Sequence, residues 1–347
     1  MYKIFFNTQF LKAEMWATSN LRQNRRMKGA GWVHVSDKPS ILDRILAIWT
    51  LFMLFFVTLL YAVLIPLFVY LIWIYKSFVG AIVLFIVTSS PFWASGHWRA
   101  FGNTFGFRAW RKYFELRVYK EELFKQSKNV LLCFAPHGLF PLVLPMLSEP
   151  TYDIFPEFNE RTPNMAIADC MFWTPILSPL LTWLGCISAK KEVMRTHLRY
   201  NNVMVLPDGI AGAFHSRREE ECVYISKRKG FIRLAIEEGS LLVPIYCFGH
   251  SQLYDVYPGH DSWLASISRR FQFSLIWFWG IWWCPPMPHR VPMLVAIGKG
   301  IKVVKRTNPT QEEVDAVHEM FVYALKDLYN RHREGVPGYE NKELKIL

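Results

Sequence analysis

An α/β domain preceded by a membrane hairpin is the fold class this sequence predicts, and three observations carry the prediction. The 53 residues from Ile45 to His97 contain a single formal charge, Lys76. After residue 129, short apolar runs of strand character alternate with helical stretches, the pattern of an α/β domain with a mostly parallel sheet. Two of those runs end in similar corners, Pro136-His137-Gly138 and Pro207-Asp208-Gly209. The chain divides accordingly into a basic N-terminal arm (1–44), the hairpin (45–97), an amphipathic interfacial helix with its linker (98–128) and the α/β domain (129–347).

The arm carries eight Lys or Arg against three acids, a balance suited to a mobile segment near a membrane surface. A block of 53 apolar residues is too long for one crossing of a hydrocarbon layer, which needs about 20 helical residues, so two crossings are expected. Placing the turn at Lys76-Ser77 keeps the lysine out of mid-membrane, where a charge costs about 2.5–3.5 kcal/mol on insertion scales. Pro66 then lies inside the first helix as a kink, and the second helix runs from about Phe78 to Trp93. Residues 98–128 repeat the balance of the arm, eight basic residues against three acidic, and positive charge on both flanks puts both ends on the cytosolic side. A re-entrant hairpin in one leaflet obeys the same charge rule. Phe107, Trp110, Phe114 and Val118 recur at helical spacing and predict an amphipathic helix, its aromatic face on the bilayer or on the protein core.

Within the α/β domain the expected strands are Val130–Phe134, Met165–Ala168, Val203–Leu206, Leu241–Phe248 and Met293–Ile297. Helices are expected over Cys170–Leu184 and Gly230–Glu238, the second ending at Gly239 as a C-cap. Thr310 with Glu313 forms a capping box ahead of a long amphipathic closing helix. The Trp-rich run 271–284 is short for a span and reads as an interfacial segment, the wall of a lipid tunnel or buried core.

A net charge of +12 points to an anionic partner. In a chain with an apolar block, lipid headgroups and a phosphorylated cofactor are favoured over nucleic acid. The six cysteines show no C-x-x-C spacing, which excludes a zinc ribbon or thioredoxin motif and suits reduced thiols facing the cytosol. The mixed first 44 residues do not have the pattern of a cleaved signal peptide.

His137 is the candidate catalytic group: histidine, with an ordinary pKa of about 6.5, is neutral yet basic at cytosolic pH. A lone histidine is more often structural, but the neighbouring Pro-Asp-Gly corner adds support, because parallel strands would bring Pro136, His137, Gly138, Asp208 and Gly209 to one sheet edge. Arg228, Lys229, Gly230 and Arg233 surround a predicted helix N-terminus, where basic charge opposes the helix dipole and suggests a bound anion such as coenzyme phosphate. A solvated basic face is the plainer alternative.

Taken together, these segments resemble the type-2 diacylglycerol acyltransferase family, which includes monoacylglycerol acyltransferases and some wax synthases. The resemblance runs from about residue 105 to the C-terminus and rests on Pro136-His137-Gly138 and on Arg228 to Ala235. Gly239 to Pro244, Phe248-Gly249, Arg290-Val291-Pro292, Ile297-Gly298-Lys299, Pro309-Thr310 and Gly335-Val336-Pro337 extend it. It implies a glycerolipid-acyltransferase-like domain in the endoplasmic reticulum membrane, with the lipid-droplet surface as a further location. It also implies acyl-CoA as co-substrate, diacylglycerol or a related acceptor, no permanently bound cofactor or metal, and His137 as the base. The oligomeric state stays open, as does a non-catalytic lipid-binding role. Ala135 stands where the family has its first histidine. Gly212 stands where many members carry Glu, with Asp208 as a substitute carboxylate. His250 replaces a usual Glu with an expected effect on acceptor recognition, and Leu142 occupies the place of the Asp found in broader glycerolipid acyltransferases.

Overall fold

The computed structural model describes residues 31–76, 78–89, 96–148, 150–159, 161–174, 177–257, 262–263, 276–284 and 287–347. Its strands, in chain order, are β1 (Gly31–Val35), β2 (Arg117–Lys120), β3 (Val130–Ala135), β4 (Asn164–Ile167), β5 (Cys186–Ser188) and β6 (Val203–Val205). There follow β7 (Glu221–Val223), β8 (Leu241–Phe248), β9 (Asp255–Tyr257), β10 (Trp277–Trp279), β11 (Leu294–Ile297), β12 (Ile301–Lys302) and β13 (Leu344–Ile346). Nine of them build the main sheet in the order β1-β2-β11-β8-β3-β6-β4-β5, with β12 alongside β8. The block β8-β3-β6-β4-β5 is parallel throughout. β11 and β12 run antiparallel to β8, β2 runs parallel to β11, and β1 turns back against β2. The sheet is therefore mixed but mostly parallel, an α/β fold.

Side-chain alternation along β3 sorts the interior into two cores. Val130, Leu132 and Phe134 face one side with Trp110, Tyr113, Val143 and the first turns of the N-terminal helix Ile41–Tyr75. Leu131, Cys133 and Ala135 face the other with Phe231, Ile232, Phe321 and Leu325, from helices Gly230–Glu238 and Gln311–Arg333. A strand covered on both faces reads as a continuous apolar run, which is why β3 and β8 are visible in the sequence.

Helix Ile41–Tyr75 contains Pro66 and ends at Lys76, which has a left-handed φ of 50°; the next helix is Phe78–Ser89. That is the turn position the charge argument chose. Among the described residues no helix is long and apolar enough to cross a membrane.

Several expectations change. Gly31–Val35, read as part of a mobile arm, pairs with β2 at the sheet edge. The amphipathic helix is shorter than its spacing predicts: it spans Phe105–Tyr113, Val118 lies in β2, and Trp110, Tyr113 and Phe114 are buried in the first core. Trp110 Nε1 donates to Thr50 Oγ1 at 2.7 Å, so Trp110 takes the core packing that is one of the two expectations for this face. The stretch Cys170–Leu184 breaks into a 3-10 turn, Asp169–Trp173, and a helix, Leu177–Trp183. Gly230–Glu238, its left-handed Gly239 cap and the Thr310–Glu313 capping box stand as expected. Of the Trp-rich run, residues 271–275 lie outside the described residues, and Trp277–Trp279 pairs with β9. None of the six cysteines is in a disulfide.

The two cores and the capping box make separate demands on the closing helix. Phe321→Ala, which empties a fully buried site in the second core, is expected to cost about 3–5 kcal/mol. Thr310→Ala should cost about 1 kcal/mol. Thermal unfolding of the detergent-solubilised variants checks the ranking, and a cap loss equal to the core loss would contradict the packing described.

Candidate active site

β3 and β6 lie side by side and parallel, with Cys133 opposite Val205, so both corners fall at one edge of the sheet. The His137 backbone N–H donates to Asp208 Oδ2 at 2.8 Å. Asp208 is fully buried, and desolvation raises its carboxyl pKa above the ordinary carboxylate range, opposed by His137 and nearby backbone N–H groups. The carboxylate thus holds the backbone of the histidine and not its ring.

The half-buried ring is fixed by the next residue. Nδ1 lies 2.8 Å from the Gly138 carbonyl oxygen. A carbonyl oxygen only accepts, so Nδ1 carries the hydrogen and donates it. In the neutral ring Nε2 is then the unprotonated nitrogen, able to take a proton from a hydroxyl. Gly138 has φ +64°, and a Cβ there would sit 2.9 Å from the His250 carbonyl oxygen. Both the backbone conformation and the close approach require glycine.

The positions that depart from the family pattern have local explanations. Ala135 ends β3 and packs in the second core opposite Tyr246. A Cβ on Gly212 would meet the Asp208 carboxyl group, 2.6 Å from Cγ, so Asp208 occupies the space a residue-212 side chain would need. His250, where an effect on acceptor recognition is expected, is buried, its ring against the carbonyls of Pro136 and Phe140 at 3.0 Å each. Sequence reasoning singled out this residue but not its task, because its partners are more than a hundred residues away.

The basic cluster stands elsewhere. Helix Gly230–Glu238 feeds directly into β8, which is parallel to β3, so its N-terminus points back toward the edge where β3 and β6 end. Lys229 Nζ pairs with Asp315 at 2.7 Å, and Arg233 reaches the Pro309 carbonyl and Gln311. Arg228 is exposed and lies over the Tyr224 ring at 5.7 Å. The structure brings Pro136, His137, Gly138, Asp208 and Gly209 together, sets Lys229 and Arg233 beside the closing helix, and leaves Arg228 over Tyr224 with Gly230 opening helix Gly230–Glu238.

Sheet and corner define an α/β fold with the candidate site at the carboxyl edge of parallel strands, where such folds commonly place their sites. Residues 48–346 match the family model described as diacylglycerol acyltransferase. The chain belongs to that family and its class is that of an acyltransferase. Among relatives, diacylglycerol O-acyltransferase 1 of Eremothecium gossypii is 36% identical over 188 residues, covering 51% of this chain and 41% of the relative. Human 2-acylglycerol O-acyltransferase 3 is 28% identical over 253 residues, with 67% and 73% covered. Human acyl-CoA wax alcohol acyltransferase 2 is 26% identical over 308 residues, with 77% and 90% covered. The crystal structure of 1-acyl-sn-glycerophosphate acyltransferase PlsC from Thermotoga maritima aligns at a TM-score of 0.38 and 13% identity, covering 78% of this chain and 98% of that one. That likeness is too distant to carry an argument.

Because the Asp208 carboxyl group and a side chain at 212 compete for one space, Gly212→Ala is expected to lower turnover about tenfold by displacing the carboxylate from His137. Asp208→Ala should do the same, and the double variant should be no worse than either single one. Additive losses in acyl-transfer assays would show that the two positions act separately.

Proposed function

We propose that this chain is a membrane-anchored acyltransferase that moves a fatty acyl group from acyl-CoA to the hydroxyl of diacylglycerol, giving triacylglycerol, with His137 as general base. The observation that carries the reading is the His137 ring itself, its Nδ1–H committed to the Gly138 carbonyl and its Nε2 left to accept a proton. In this mechanism Nε2 takes the proton of the acceptor hydroxyl as the oxygen attacks the thioester carbonyl carbon. The tetrahedral intermediate collapses with cleavage of the C–S bond, and the departing thiolate recovers the proton from the imidazolium.

The route for a lipid acceptor follows the aromatic side chains beside the corner. Phe140, three residues after His137, packs on Phe278 at 5.1 Å, and Phe278 packs on Phe55 of the N-terminal helix at 5.4 Å. Phe52, Phe56, Tyr70 and Trp73 on that helix are exposed, as suits contact with lipid. In this reading helices Ile41–Tyr75 and Phe78–Ser89 form the hairpin in the endoplasmic reticulum membrane, with both flanks cytosolic. The names of the relatives leave monoacylglycerol and long-chain alcohols as alternative acceptors. Coenzyme A phosphates would be met by Arg228, Lys229 and the free N–H groups opening helix Gly230–Glu238. The Lys229–Asp315 pair is part-exposed, so an incoming phosphate can displace it at little cost.

Incubating membranes that contain the chain with labelled oleoyl-CoA and separate acceptors tests the assignment. Labelled triacylglycerol is expected, and its formation should fall at least about a thousandfold in His137→Ala. A different product would reassign the acceptor, and undiminished transfer by the variant would remove His137 from the mechanism. For the basic cluster, Arg228→Gln with Lys229→Gln should raise KM for acyl-CoA while leaving that for the glyceride within about twofold; an equal rise in both would refute phosphate binding.

A further inference from the structure

His250 lies 113 residues after His137 in sequence, yet its ring sits under the loop that carries His137. Its two nitrogens face the two ends of that loop, Nδ1 the Pro136 carbonyl and Nε2 the Phe140 carbonyl, at 3.0 Å each. The His250 carbonyl oxygen and ring also form the wall against which Gly138 is pressed. A residue seated this way can set the separation of residues 136 and 140, and with it the aim of the ring between them.

His250 is itself held from behind. The Gly249 N–H donates to Tyr339 Oη at 2.7 Å, and the Ser251 hydroxyl donates to Glu221 Oε1 at 2.6 Å. Glu221, fully buried on β7, also accepts from Tyr246 Oη at 2.7 Å, and Ser216 Oγ donates to the Ser251 carbonyl at 2.9 Å. Residues on both sides of His250 are therefore pinned to the protein interior, so force on its ring passes to the loop and not to a mobile support.

We infer that His250 is a positioning residue, a hydrogen-bond donor clamped between the Pro136 and Phe140 carbonyls that fixes the loop bearing the base. The inference rests on the reading of His137 as that base. Its chemical content is that position 250 must supply a donor. Burial keeps the imidazole neutral, with its pKa pushed down to about 4, so one N–H at a time serves one of the two carbonyls. The Phe140 carbonyl also receives the Leu142 N–H at 2.7 Å, so it is not dependent on the ring. A glutamine amide can donate in the same place. A methionine of similar length offers no N–H, and leucine likewise leaves the carbonyls without the ring's hydrogen bond.

The test compares His250→Gln, His250→Met and His250→Leu in membranes, matched for accumulation and thermal unfolding, using two measurements. In acyl transfer, Gln should keep kcat within about threefold of wild type, while Met and Leu lose about tenfold or more with KM for acyl-CoA changed less than about twofold. Diethyl pyrocarbonate labelling of His137, followed by peptide mass spectrometry, needs no activity. Its rate should rise about fivefold or more in Met and Leu and stay near wild type in Gln, because a loosened loop exposes the ring. Should Leu not fold, the similarly sized Gln and Met pair decides alone. A labelling rate in Met at or below wild type, or a Gln variant as altered as Met, would overturn the clamp. Absence of transfer by wild type alongside the expected labelling pattern would instead overturn the acyltransferase reading and leave the clamp standing.

Discussion

The hydrogen bond from the His137 backbone to the buried Asp208 carboxylate is the constraint on which the site depends. It joins the ends of two adjacent parallel strands, and each would otherwise finish in a free loop. Burying a carboxylate without a cationic partner is costly, so the protein satisfies one oxygen with the very N–H that locates the candidate base. Removing the acceptor would leave that buried donor unpaired as well as free the loop, which is why the two corners behave as one unit.

Everything around this bond restricts the loop further. Behind it, β3 and β8 are paired along their length and packed on both faces. Beneath it lie His250 and the Glu221–Tyr246–Ser251 network, which reaches Tyr339 near the C-terminus. In front, Phe140, Tyr254 and Phe278 form an aromatic group that extends to Phe55 on the N-terminal helix. On the proposed reading the polar side sets the orientation of the ring and the apolar side offers a path for a lipid, a division of labour that suits chemistry on a hydrophobic acceptor.

The parts legible in the sequence were those fixed by local patterns. Continuous apolar runs marked β3 and β8, Thr310 with Glu313 marked the start of the closing helix, and Lys76 marked the end of the long one. The strands at one end of the sheet are not legible: the edge strand β1 and its neighbour β2 are short and carry His34, Arg117 and Lys120 among their apolar residues. Lys120 is buried by contacts no pattern encodes, with Glu157, the Ile154 carbonyl and the rings of Phe124 and Phe155. Helix Lys191–Tyr200 leaves little apolar pattern in the sequence because it buries little beyond Met194 and Leu198. At the site, His137 and Asp208 were found from their matching corners, whereas the setting of His250 depends on partners brought together only by the fold.

The central claim is that the corner holds the His137 ring with its hydrogen on Nδ1 and its lone pair on Nε2. Solid-state ¹⁵N NMR of histidine-labelled protein in lipid vesicles, with His137→Gln used to assign the signal, reads the tautomer directly. A neutral His137 protonated at Nδ1 is the result the geometry predicts. A neutral ring protonated at Nε2 would contradict it, because that nitrogen could not then accept the proton of a lipid hydroxyl.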